Sequence, residues 1–339
     1  MEQSKDTKRK VSVVVCTYNG ERYIREQIDS ILRQTYPLHE IILQDDGSTD
    51  GTFAILADYA RRHSNVSAWR NEAGQGINPN FFSAMARATG EFIALSDQDD
   101  VWESDKVERQ MTALEHGGAH ALLCFGRTVP FAEGGILVRP DERVPNYSLL
   151  RLCFANTIPG HTMLFRRRLL ELIPDDAAFR SNRIYDVVLG MTAAAQDGIV
   201  YVDKKLVNQR RHAAAATYTK PMDNTYTLRN IVRTVADSFR LYRELKPELM
   251  RRAALNLNFL SQMESRSPHL ADALRMLRAQ QKGTLCATLW MSLFCLRHQS
   301  ELFFTRERPS LRGSLRALLF PVFCSEYIRY MSKSSKLNR

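Results

Sequence analysis

Apolar positions along the first 120 residues change period in a regular way. "VSVVVCTYN" (Val11 to Asn19) is a β-branched run of strand length, and "GERYIREQIDSILRQTYP" then places Tyr23, Ile24, Ile28, Ile31 and Leu32 at helical spacing until Pro37. "EIILQ" (Glu40 to Gln44) predicts a second strand, followed by the turn "DDGSTDG" and a helix through "FAILADYARRH". "VSAWR" reads as a third strand, "NPNFFSAMARA" as a helix, "EFIALS" as a fourth strand and "ESDKVERQMTALEH" as a further helix. Such alternation predicts an α/β fold, a parallel sheet with helices on both faces.

Beyond Gly117 the pattern loosens. "AHALLCF", "GHTMLF" and "GIVYVD" read as strands, "YDVVLGMTAAAQ" as a helix and "NQRRHAAAAT" as an extended segment running into a loop. After about Pro221 the chain reads as almost entirely helical, with no repeat and no long linker. Three segments follow: a polar tail over residues 1–9, an α/β domain over 10–220 and a helical, basic C-terminal region over 221–339.

Composition narrows the picture. The 339 residues are enough for a full core plus an appended region, and 25% charged with 44% hydrophobic residues is ordinary for a globular protein. The six cysteines are scattered without C-x-x-C or Cys/His pairs, which argues against zinc and against a disulfide framework and fits a reducing cytoplasm. The opening "MEQSKDTKRK" has no apolar h-region, so no ordinary signal peptide is expected. The best spanning candidate, "TLCATLWMSLFCL" (Thr284 to Leu296), is too short and is closed by Arg297.

Charge is unevenly spread. Of the net +10, residues from Lys204 onward carry 25 Lys+Arg against 9 Asp+Glu, leaving 22 against 28 before them. A basic tail of +16 behind a front of −6 suggests an anionic surface as partner. "LFFTRERPSLRGSLRALLFPVFCSEYIRYMSK" mixes Leu, Phe and Tyr with Arg as interfacial helices do, whereas no RNA- or DNA-binding motif accompanies the charge. An ordinary solvated helical face is the plain alternative for this stretch.

Chemistry concentrates where the predicted strands end. In an open parallel sheet ligands bind at the carboxyl ends of the strands, and here those ends carry "CTYNG", "DDGS" and "SDQDD". Turn formation and helix capping account for one such cluster, less readily for three on one sheet edge. "GQGINPN" fails as a dinucleotide fingerprint, no G-x-x-x-x-G-K-[ST] occurs, and "DDGSTDG" and "DQDDVWESDKVE" both fail as calcium loops. Asp97 and Asp99, two apart in an extended start, can point the same way. Like charges that close call for a cation. Few hard oxygen ligands suit Mg²⁺ or Mn²⁺ completed by substrate phosphates.

"VSVVVCTYNGERYIREQIDSILRQTYPLHEIILQDDGSTDGT" together with "GEFIALSDQDDVW" resembles the inverting family 2 glycosyltransferases of the GT-A fold, in particular the bacterial rhamnosyltransferase-like branch of cell-surface polysaccharide synthesis. The resemblance covers about residues 10 to 220. It implies a Rossmann-like, mostly parallel sheet and a nucleotide pocket lined by Cys16, Thr17 and Tyr18, with Asp46 accepting from the base of uridine or thymidine. Asp97 and Asp99 match the family's D-x-D, Asp99 as the direct metal ligand and Asp97 nearer the ribose or a metal water. Asp100 shapes the loop or contacts the donor sugar, and Asn80 sits where the family places a polar residue near the donor. Cys16 stands where many members have proline, and Gln98 fills the middle of the D-x-D.

Asp186, in "RIYDVVLGMTAAAQDG", matches the family's catalytic base; its plain alternative is a helix N-cap. Gly160 and His161 match a strand entry beside the acceptor, and His212 matches an R-x-H segment near the diphosphate. Trp102 is offered as a sugar-stacking face, with core packing as its alternative. The expected protein is a metal-dependent inverting glycosyltransferase using Mn²⁺ or Mg²⁺. Its expected partners are a dTDP- or UDP-sugar, a glycan or lipid-linked acceptor and the inner face of the plasma membrane. Metal-dependent phosphoryl hydrolysis and non-catalytic nucleotide-sugar or polyanion binding use the same residues and stay open.

Overall fold

Strand-end chemistry depends on where the strands lie, and the apolar alternation of β1 (Val11–Thr17) sets this out. All seven of its residues are buried, so both faces of the strand are covered. Val11, Val13 and Val15 share a cluster with Ile24, Ile28 and Ile31 of α1 (Ile24–Leu32), Ile55, Leu56 and Tyr59 of α2 (Thr52–Arg62), and Val107, Met111 and Leu114 of α4 (Lys106–His116). Successive side chains of a strand alternate in direction, and the opposite face of β1 and β2 (Glu40–Asp45) is met by α3 (Ile77–Arg87). The computed structural model describes residues 8–132, 143–212, 228–303, 311 and 313–321.

Besides β1 and β2, the sheet holds β3 (Val66–Arg70), β4 (Phe92–Ser96), β5 (Val101–Trp102), β6 (Leu123–Ala132), β7 (Leu164–Arg166) and β8 (Ile199–Arg211), in the order β3-β2-β1-β4-β7-β6-β8-β5. β1 pairs in parallel with β2 on one side and β4 on the other, so the strand order reverses there and opens a crevice at the carboxyl ends. The sheet is mostly parallel, as expected, but β7 runs antiparallel to both β4 and β6, and β5 antiparallel to β8. "GHTMLF" splits into a 3₁₀ turn over Gly160–Thr162 and the short β7, because Met163 and Thr162 fold their N–H groups back onto Gly160 and Pro159. "AHALLCF" starts late, since Gly118 at φ +71° turns the chain and Ala121 donates back to it.

The chain divides into two units. The first holds Met1–Glu142, Ile158–Ile173 and Arg180–Arg211, and therefore the whole sheet together with α7 (Tyr185–Ala195). The second holds Arg143–Thr157, Pro174–Phe179 and His212–Arg339. Within it α5 (Leu149–Phe154) is tied to α8 (Leu228–Ser261) where Asn256 Nδ2 donates to Cys153 O at 2.7 Å. Phe179, in α6 (Ala177–Asn182), stacks on Phe259 at 3.9 Å. α9 (Leu270–Lys282) ends at Gly283 in the left-handed conformation, and α10 (Leu285–Arg297) starts at Thr284, whose hydroxyl accepts from Ala287. α11 (Gln299–Leu302) follows, its Glu301 carbonyl accepting from Ser148 Oγ. The expected boundary near residue 220 and most of the basic stretch after Phe303 lie outside the described residues. Among the described residues no helix is long and apolar enough to cross a membrane.

Candidate active site

Loops at the ends of β1 and β2 are laced together. Asn19, at φ +48°, donates its N–H to Ser48 Oγ at 2.8 Å and accepts from the Thr49 N–H at 2.9 Å. Gly20 N–H donates to Thr52 Oγ1 at 2.8 Å. Behind them Asp45 is fully buried, accepting from Thr17 Oγ1, from Ser48 and from Arg70. The β1 loop is also joined to the β4 loop. Tyr18 N–H donates to Gln98 Oε1 at 2.8 Å, and Gln98 Nε2 donates back to Tyr18 O at 3.1 Å. That bridge needs a glycine nearby: a Cβ on Gly20 would lie 2.3 Å from Gln98 Oε1.

Acidic side chains gather under the bridge. One ligand atom each of Asp97, Asp100 and His161 lie within 4.8 Å of one another, with His161 Nδ1 3.5 Å from Asp97 Oδ2 and 3.8 Å from Asp100 Oδ2. Burial, reinforced by Asp97 and Asp99, lifts the Asp100 carboxyl well above the carboxylate range. Burial opposes the charged form of His161, yet Asp100 and Asp97 outweigh it and raise its value. His161 Nε2 is buried with no hydrogen-bond partner. Asp99 lies outside the three-ligand group and is held by its carbonyl, which accepts from Arg210 Nε at 3.0 Å. Arg210 also bonds Glu26 at 2.5 Å, and its N–H donates to Asp100 Oδ1 at 3.1 Å. The acidic loop is thus clamped from β8. Two hard carboxylates favour Mg²⁺ or Mn²⁺, and the imidazole tilts the set away from Mg²⁺, so these residues fit a divalent cation.

Asp186 enters from α7. It lies in the first turn, but the N-cap is Ile184, and the Tyr185 N–H is taken by Asn78 Oδ1 at 2.8 Å from α3. Capping is therefore done by Asn78, and the Asp186 carboxylate accepts from the local Val187 N–H at 2.7 Å. Tyr185, fully packed, connects the two acidic groups: burial raises its phenol well above the ordinary value, and Asp97, Asp186, Cys16 and Asp100 add to that in turn. Its ring stacks on Phe81 at 3.8 Å, and a Cβ on Gly160 would lie 2.3 Å from its hydroxyl. Gly160 is a close-approach glycine. Cys16 is placed likewise, with burial first and then Asp97 and Asp46 pushing its thiol well up.

A cluster of two carboxylates and an imidazole at the carboxyl ends of β1 and β4 can be set beside known proteins. The chain matches Glycosyl transferase family 2 over residues 12–173, which takes in β1 to β7 and the acidic loop. Residues 12–173 belong to glycosyl transferase family 2. EpsE of Bacillus subtilis (strain 168), which carries a glycosyltransferase name, is 37% identical to this chain over 176 residues, 48% of this chain and 63% of EpsE. WfgD of Escherichia coli, named as a UDP-Glc:alpha-D-GlcNAc-diphosphoundecaprenol beta-1,3-glucosyltransferase, is 34% identical over 104 residues, 31% of this chain and 40% of WfgD. The chain therefore spans less than two thirds of the length of these relatives. The crystal structure of S. aureus TarS 1-349 in complex with UDP-GlcNAc shares the fold, with a TM-score of 0.53 at 19% identity over 94% of this chain and 91% of that one.

Within the glycosyltransferase domain the remaining expected residues separate. Cys16 and Thr17 are buried and Tyr18, just past the end of β1, is 53% exposed. Asp46 accepts from Asn71 Nδ2 at 2.6 Å and from the Gly76 N–H at 2.7 Å, one bond on each oxygen. Asn80 is buried, and its carbonyl and side-chain oxygens both accept from Gln44 Nε2. Trp102 corrects the sugar-stacking expectation: it is 4% exposed inside the main core cluster, with Lys106 Nζ 3.8 Å from its ring centre, so no face is left for a sugar. His212 follows β8 directly and is half-buried. Sequence reading missed Gln98, Tyr185 and Arg210. Arg210 was visible as the first residue of the R-x-H segment that had pointed to His212.

Proposed function

We propose that the protein is a metal-dependent inverting glycosyltransferase that moves a sugar from a nucleotide diphospho-sugar to a glycan or lipid-linked acceptor. The observation that carries this reading is the convergence of Asp97, Asp100 and His161 within ligand reach of one another, at the switch point of a family 2 domain. The base of a uridine or thymidine diphosphate stacks near Tyr18 and donates to Asp46, whose two bound donors leave lone pairs for one more. Asp97, Asp100 and His161 hold Mn²⁺ or Mg²⁺, with Asp99 the further candidate. The cation, when bound, offsets negative charge on the departing diphosphate. Asp186 takes the proton of the acceptor hydroxyl as that oxygen attacks the anomeric carbon from the face opposite the diphosphate. Holding donor and acceptor in line supplies much of the acceleration.

UDP-GlcNAc bound to TarS and the UDP-Glc and diphosphoundecaprenol in the name of WfgD support a nucleotide-sugar donor and a lipid-linked acceptor. The rhamnosyltransferase-like resemblance puts dTDP-L-rhamnose first in a donor panel. A lipid-linked acceptor and the basic C-terminal region together support a peripheral position on an anionic membrane face. Asp186→Asn tests the chemistry: nucleotide binding by calorimetry stays within about twofold while transfer falls by at least about 100-fold. Transfer persisting at the wild-type rate would remove Asp186 from the role of base.

A further inference from the structure

We propose that α10 is an interfacial helix whose outer face docks on an anionic lipid surface. This deepens the membrane association proposed above by naming the surface, and it does not depend on the transfer reaction. The sequence of α10, "LCATLWMSLFCLR", contains no acid and a single basic residue at its end. One face is spent on the second unit's interior, where Met291, Phe294 and Cys295 are buried. The other is open: Leu285, Leu289 and Leu293, at i, i+4 and i+8, are 75%, 58% and 65% exposed, with Trp290 at 40% beside them. A helix that is apolar all round belongs in a core or a membrane.

Length decides between crossing and lying flat. Thirteen residues rise about 20 Å, short of the roughly 30 Å hydrocarbon layer, so the helix can lie only in the interface plane. Leu311 and Leu315, again four apart, are 90% and 60% exposed and add apolar contact in the same unit. Lys282 and Arg297, both exposed, bracket α10, and residues 304–339 carry 8 Lys+Arg against 2 Asp+Glu. That charge matches anionic headgroups. It opposes a second copy of the chain, since a two-fold pairing over α10 would crowd the exposed Lys282 and Arg297 of both copies together. An aromatic at the edge of the stripe suits the headgroup boundary, where an indole has one apolar and one wet side.

Flotation of the full chain tests the proposal, using phosphatidylcholine vesicles with and without about 30 mol% phosphatidylglycerol. The wild type should float with the anionic vesicles and be released by high salt. Leu289→Glu/Leu293→Glu, changed only at exposed positions, should bind at least about tenfold more weakly while keeping its melting temperature and its affinity for UDP with Mn²⁺. Equal flotation of variant and wild type would overturn the assignment. So would a wild-type dimer that the variant dissociates, with no vesicle binding by either. Loss of UDP binding in the wild type would instead strike the transferase reading, leaving the flotation result to stand.

Discussion

Replacing Gln98 with leucine isolates the bridge between the β1 and β4 loops. Leucine keeps most of the side-chain volume and removes both bonds to Tyr18, at 2.8 and 3.1 Å. Each contributes about 1 kcal/mol net, and because Tyr18 is well exposed, water can take over its backbone groups, so the loss is about 1 to 2 kcal/mol. If the bridge sets the relative position of the nucleotide loop and the acidic loop, that loss appears as a roughly 5- to 30-fold weaker affinity for UDP or dTDP with Mn²⁺. The melting temperature should scarcely move, since none of these groups belongs to the core. Gly20→Ala supplies the control. Its Cβ, 2.3 Å from Gln98 Oε1, would push the amide off Tyr18, and the double variant should lose no more than either single one. Calorimetric titration of the three variants decides. Wild-type affinity in Gln98→Leu, or two losses that add in full, would refute the reasoning.

Trp102→Ala should destabilise the protein by about 3 to 5 kcal/mol in urea unfolding, whereas Trp102→Phe should leave the donor KM unchanged; a raised KM at unchanged stability would return the ring to the sugar site. Arg210→Met removes the guanidinium that bonds Asp99 O and Glu26. At about 1.5 to 3 kcal/mol for a hydrogen bond to a charged group, Mn²⁺-dependent nucleotide binding should weaken at least about tenfold, and unchanged binding would mean that the clamp does not shape the loop. Lys106 is fully buried beside Trp102, its Nζ donating to Gln110 Oε1 at 2.9 Å, and burial pushes its pKa down to about 7. The unfolded lysine titrates near 10.4, so between those values the unfolded chain holds one more proton and stability rises with pH, by up to about 1.4 kcal/mol per unit. Lys106→Met should remove that slope, so unfolding free energies at pH 7 and pH 9 should differ less in the variant than in the wild type; equal slopes would show a lysine that stays charged in the fold.

What the sequence made legible was what local periodicity encodes. "VSAWR" is β3 residue for residue, and "YDVVLGMTAAAQ" is α7 to within its last residue, because burial on one or two faces writes itself into short spacings. The antiparallel direction of β7 and the two-residue β5 were not legible, since each is defined by a partner strand far along the chain. The site divides the same way. Asp46, Asp97 and Asp186 announced themselves by position in strand-end or helix-start motifs. Gln98 acts on Tyr18 eighty residues away, and Tyr185 acts through a gap left by Gly160. Neither pairing has any local pattern. Asp99 and Asp100 show the limit from the other side: adjacent in the chain, they are separated by Arg210, which takes the backbone of one and faces the carboxylate of the other.

Titration of UDP and dTDP into the full chain with and without Mn²⁺, in the wild type and in Asp97→Asn, bears most directly on the proposed site. At least one nucleotide should bind tenfold or more tightly with Mn²⁺ in the wild type, following from about 1.4 kcal/mol or more of linkage between cation and diphosphate, and the gain should vanish in Asp97→Asn. Affinity indifferent to Mn²⁺, or a gain that survives in Asp97→Asn, would contradict the account.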